Sequence, residues 1–107
     1  MTERKSPPWA WLEIPPSHLA AYAGTGVWDE RTIAEQATAL AEADPGFVAL
    51  IEGDEQVSRA QIVADAEALS AAMHARGLRP GDVIAFQVPN WREAMVINTA
   101  AAMSGLV

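Results

Sequence analysis

The sequence predicts an α/β fold, with three helices, a short hairpin and a buried strand of an incomplete, mainly parallel sheet. Three observations carry that reading. Apolar residues recur at helical spacing in three segments, each opened by a capping pair three residues apart. FVALI at 47–51, a continuous apolar run, and VIAFQV at 83–88, apolar on both alternating faces, read as strands. The second run, the helix after it and Leu106-Val107 follow in the order of a βαβ unit.

Taken in order, residues 1–30 read as an irregular arm. Pro7, Pro8, Pro15 and Pro16 forbid a long helix there, while Trp9, Trp11, Tyr22 and Trp28 supply anchors suited to lying against a larger body. The first helix begins near Thr32, which makes a capping box with Glu35, and Ile33, Ala37, Leu40 and Ala41 form its stripe. Asp44-Pro45-Gly46 stops it. FVALI reads as a buried strand, Glu52 to Glu55 as turn chemistry, and Gln56-Val57 as the return of a hairpin.

The second helix carries the fullest set of signals. Ser58 and Gln61 make a capping box, Val57 and Ile62 a hydrophobic staple, and Ile62, Ala66, Leu69 and Met73 an apolar stripe. Gly77 stands where a left-handed residue ends a helix, with Leu78 reaching back to Met73 in a Schellman ending. Arg79-Pro80-Gly81-Asp82 suits a type II turn. VIAFQV is apolar on both alternating faces, as in a strand covered on two sides, and Pro89 ends it. Asn90 and Glu93 form the third cap pair, opening a helix from Trp91 to about Ser104. That helix is apolar nearly all round and is expected to be buried on most sides. Gly105 ends it, and Leu106-Val107 read as the start of another strand. The βαβ unit thus lacks its last member, and the chain is expected to be the opening of a larger protein; a complete domain with a frayed tail is the alternative.

Composition bounds the function. Fourteen acidic against seven basic side chains give a charge of −7, which repels phosphate backbones and argues against nucleic acid as a partner. The absence of cysteine excludes disulfides, zinc–thiolate sites and a cysteine nucleophile. Prolines interrupt the N-terminal stretch where a signal peptide needs an apolar core. AMVINTAAAMSGLV, the most apolar window, is shorter than the roughly 18 residues of a membrane span. A cytoplasmic location is expected.

The candidate chemical residues are few. His18 and His74 lie far apart without carboxylates at ligand spacing, so neither predicts a metal site. Ser58, Ser70 and Ser104 lack a nucleophile elbow. Trp9, Trp11 and Trp28 suit packing of the arm better than a ligand pocket, and Glu52 to Glu55 read as a solvated turn rather than a cation site. Gln87-Val88-Pro89-Asn90-Trp91 has the look of a strand–helix phosphate cradle but holds no glycine for close backbone approach, and Asn90 is expected to be occupied as a cap. No catalytic, cofactor-binding or metal residue is therefore assigned.

The order Tyr22…Gly26-Val27-Trp28, Thr32, Pro45 and Ala49-Leu50-Ile51, then GDEQVSRAQI, then ALSAAMHARGLRPGDVIAFQVPN, resembles the N-terminal portion of AMP-forming acyl- and aryl-acid CoA ligases. The most telling part is Gly77-Leu78-x-Pro80-Gly81-Asp82-Val83 leading into Gln87-x-Pro89-Asn90. The likeness runs from about residue 20 onward and looks most similar to cyclohexanecarboxylate–CoA ligases and 2,3-dihydroxybenzoate–AMP ligases. It implies that residues 31–107 begin an adenylation domain, preceded by the arm at 1–30. It also implies a two-step reaction for the full enzyme: a small carboxylic acid attacks the α-phosphate of ATP with Mg2+, and coenzyme A then displaces AMP. The family's Ser/Thr/Gly-rich loop ending in Pro-Lys, its Thr-Glu motif, its ribose-binding Asp and its catalytic Lys do not occur here, so these residues alone are expected to be inactive and to bind no cofactor. The alternatives are a non-catalytic α/β interaction module derived from such a ligase and, more weakly, a carrier of apolar ligands through the aromatic arm.

Overall fold

The computed structural model describes residues 14–28 and 30–107. Pro7, Pro8, Trp9 and Trp11, on which part of the arm reading rests, lie outside them. The described elements are helices α1 (Pro16–Tyr22), α2 (Ile33–Ala43), α3 (Arg59–Ala75) and α4 (Arg92–Ser104), with strands β1 (Val48–Glu52) and β2 (Glu55–Ser58) between α2 and α3. Four helices stand where three were expected. The addition, α1, falls inside the arm that was read as irregular. Pro15 and Pro16 occupy its N-cap and first position, where a missing N–H breaks no intrahelical bond. α1 buries none of its residues, and the rings of Tyr22 and Trp28 pair just beyond it, 5.2 Å apart.

The two capping boxes form as the sequence predicts. Thr32 Oγ1 accepts from Glu35 N–H at 3.2 Å while the Glu35 carboxylate accepts from Thr32 N–H at 2.6 Å. Ser58 Oγ accepts from Gln61 N–H at 3.2 Å, and Gln61 Oε1 from Ser58 N–H at 2.8 Å. Each satisfies two amides that a bare helix start leaves free. The two helices are held to the core differently. Ile62 and Ala66 of α3 are buried, along with Val57 just before it, whereas α2 buries only Ala41 and leaves Ile33 and Leu40 exposed. The expected α2 stripe is thus half covered, because α2 meets α3 and α4 on one side only.

β1 and β2 pair antiparallel, with Leu50 opposite Val57, Ile51 opposite Gln56 and Glu52 opposite Glu55, and an irregularity between Val48 and Leu50. Gly53 at φ +59° leads the two-residue turn and, among the described residues, only glycines take positive φ, which is the II′ geometry that matches strand twist. The expectation of a buried strand here is corrected: Phe47, Val48 and Ile51 are exposed, since a two-stranded ribbon has only one face on the helices. Arg59 lies over the Phe47 ring, 3.8 Å from its centroid, and covers part of that apolar surface.

α3 packs most extensively on α4, around Ala66 and Ala100, both wholly inaccessible. α4 is otherwise half-buried, with Met95 exposed, so its expected burial on nearly all sides is not met by the neighbours described. Residues 83–88 likewise form no strand, and Val83 and Phe86 are exposed. An apolar run without neighbours on both sides closes no ladder. Its first residues do find one partner. Val107 donates to Asp82 O at 2.9 Å and its carbonyl accepts from Ile84 N–H at 2.8 Å, the pattern of a parallel bridge between Val83 and Val107. A single such bridge is what the described residues hold of the expected parallel sheet.

Candidate functional site

The junction from α3 to α4 is built from local bonds. Leu78 N–H donates to Met73 O (3.2 Å) and Gly77 N–H to His74 O (2.9 Å), the paired bonds of a Schellman ending, with Gly77 at φ +96°. The Arg79 guanidinium donates to His74 O (3.1 Å) and Leu78 O (2.8 Å), placing positive charge where the helix exposes carbonyls. The Pro80-Gly81 turn closes with Asp82 N–H on Arg79 O at 3.0 Å and Gly81 at φ +89°, a type II geometry. The Asp82 carboxylate also accepts from Arg79 N–H at 2.7 Å.

The far side of the junction departs from expectation. α4 starts at Arg92 with Trp91 as its N-cap residue, and no side chain of the junction caps it. Asn90 is exposed and makes no hydrogen bond among the described residues, so the Asn90–Glu93 cap pair does not form. The amide of Arg92 is satisfied instead by Glu52 Oε2, at 2.7 Å. Glu52 is therefore half-buried and engaged, not part of a solvated turn. The Arg92 guanidinium pairs with Asp65 of α3. Sequence reasoning missed this constellation because its members come from three elements and no local spacing links them.

The other candidates lie apart or meet one another. His18 and His74 sit exposed on α1 and α3, and no group of three His, Cys, Asp or Glu among the described residues is placed to hold a metal ion. Ser70 and Ser104 meet each other, Oγ to Oγ at 2.7 Å, across α3 and α4. They line an open cleft of about 580 Å³ with Glu67, His74, Leu78 and Pro80. Neither hydroxyl bonds a base among the described residues, so the pair works as a tie between helices rather than as an activated nucleophile. The 87–91 turn has no glycine to let phosphate oxygens approach the backbone closely. Among the described residues no helix is long and apolar enough to cross a membrane.

What the geometry defines is a segment of four described helices with a two-stranded antiparallel hairpin. The comparisons supply its kinship: the chain belongs to the family of AMP-binding enzymes, whose profile matches residues 36–107. It is 29% identical over 98 residues to a 2-hydroxy-7-methoxy-5-methyl-1-naphthoate–CoA ligase of Streptomyces carzinostaticus, covering 92% of this chain and 18% of that protein. A salicylyl-CoA synthase / salicylate adenylyltransferase of a Streptomyces species is 28% identical over 106 residues, covering 99% of this chain and 18% of that protein. The medium-chain fatty-acid–CoA ligase of Escherichia coli K12 is 33% identical over 89 residues, 82% of this chain and 16% of its own length. In structure, the chain resembles apo MbtA of Mycobacterium smegmatis with a TM-score of 0.80 and 26% identity, over 88% of this chain and 18% of that one. The chain thus spans less than a fifth of the length of these relatives.

Proposed function

We propose that these residues form the N-terminal portion of an AMP-forming carboxylate–CoA ligase, in which residues 31–107 open the adenylation domain and residues 1–30 form an arm before it. The observation that carries this is the family match over residues 36–107, which runs from α2 through the Val83–Val107 bridge. In the whole enzyme a carboxylate oxygen attacks the α-phosphate of ATP, pyrophosphate leaves, and the thiol of coenzyme A then takes the acyl group and releases AMP. The present residues contribute none of the groups that handle phosphate. Their part is to hold the sheet and helices against which such groups are placed.

The substrate class proposed is an aromatic acid. Support comes from the relatives named for a naphthoate and for salicylate, together with Tyr22…Gly26-Val27-Trp28 and Gln87-x-Pro89-Asn90. The test is carboxylate-dependent ATP–pyrophosphate exchange by the protein translated from the whole reading frame, with salicylate, a naphthoate and octanoate as acids. Exchange with the aromatic acids, and none by residues 1–107 alone, is the expected result. Exchange with octanoate alone overturns the substrate class. Exchange with no acid overturns the ligase reading, and exchange by residues 1–107 overturns the scaffolding role.

A further inference from the structure

α4 has an unusual start. The residues adjacent to its first turn offer no side-chain cap, yet that turn is not left open. Glu52, forty residues earlier at the end of β1, accepts the Arg92 N–H at 2.7 Å, and Arg92 in turn reaches Asp65 on α3. A single residue is thus bonded to the hairpin through its backbone and to α3 through its side chain. We propose that the β1–β2 hairpin is the N-cap of α4 supplied from a distance, and that Glu52, Arg92 and Asp65 form a strap that makes the hairpin and the 89–94 turn open and close as one unit.

The physics favours this in both directions. A helix start presents free amides and partial positive charge, for which a carboxylate is the preferred partner. A two-stranded hairpin is marginal by itself and gains from any anchor on a packed body. Glu52 sits directly before the tight Gly53 turn and opposite Glu55, so the position of its carboxylate follows the whole hairpin. Asp65 holds the guanidinium, which keeps Arg92 from withdrawing its amide. Local opening then has to release both bonds together.

Native-state hydrogen exchange on the 107-residue chain tests the proposal, read at the Arg92 and Ala94 amides and at the paired amides of β1 and β2. In the parent chain these amides are expected to share one protection level. Glu52→Ala is expected to speed exchange at Arg92 and in the hairpin together, by about ten-fold, the scale of a lost cap. Glu52→Gln keeps an acceptor oxygen and is expected to stay within about three-fold of the parent, and it serves as the readout should Glu52→Ala fail to fold. Asp65→Ala is expected to move both regions in the same proportion, and Asn90→Ala to move neither. Faster exchange at α4 with the hairpin unchanged, an Asn90→Ala effect equal to that of Glu52→Ala, or an unprotected Arg92 amide in the parent would each overturn it.

Discussion

Gly105 illustrates how much one position can carry. It ends α4 at φ +65°, and a β-carbon there would stand 3.2 Å from Cβ of Pro80. Its carbonyl also accepts the Gly81 N–H at 2.8 Å, so the end of α4 is clamped to the Pro80-Gly81 turn. Gly105→Ala is expected to destabilise the chain by about 1–2 kcal/mol, from the left-handed backbone alone. Urea unfolding followed by circular dichroism checks this as a lowered midpoint at unchanged slope. The sequence made this glycine legible as a helix end, because glycine after an apolar helix is a local signal. It could not reveal the contact with Pro80, which depends on the chain returning from 25 residues away. The same distinction separates the two caps that were read correctly, Thr32–Glu35 and Ser58–Gln61, from the one that was not. Partners three residues apart can be seen in a string of letters, whereas Glu52 and Arg92 become neighbours only after the hairpin and α4 have packed.

Among the described elements, α3 and α4 share the most extensive interface, with small residues at its centre. Ala66 and Ala100 are fully buried. Ala100→Leu is expected to cost about 1–3 kcal/mol through overpacking, measured as a loss of thermal stability, while the same change at half-buried Ala101 is expected to cost less. Helix periodicity made α2 and α3 legible, since a stripe and a cap agree on each, while α4 was read from its apolar run and Gly105 although its expected cap does not form. It overstated what each buries. An apolar face predicts that a helix prefers company and says nothing about which neighbours supply it, so Ile33, Leu40 and Met95 were assigned to a core that the described residues do not close around them. The run at 83–88 was misread for a related reason. Its composition records an environment covered on two faces, and a strand assignment needs partners as well as composition. α1 was missed because four prolines in the arm outweighed a seven-residue helix that uses two of them at its start.

For the whole molecule, the radius of gyration is 15.8 Å, against about 13 Å for a compact domain of this length. Val83, Phe86 and Trp91 lie exposed beside a core of few residues. Purified residues 1–107 are accordingly expected to raise the fluorescence of a dye that reports apolar surface; a dark dye in the presence of folded protein would contradict the exposure described. The net charge of −7 opposes association of copies through that surface at low salt. The kinship, by contrast with the packing, was written along the chain in the order and spacing of weak local signals. The candidate site was legible in part: the Gly77-Leu78 helix ending and the Pro80-Gly81 turn lie in adjacent letters, whereas the Glu52, Arg92 and Asp65 contacts do not.

The bonds that Val107 makes to Asp82 and Ile84 also set a phase. Side chains along paired strands alternate in direction, so a slip of one step would turn each inward group outward. A residue inserted or removed next to that bridge, beside Val83 or Leu106, would therefore bring a neighbour of opposite side-chain direction to the bonds that Val107 now makes.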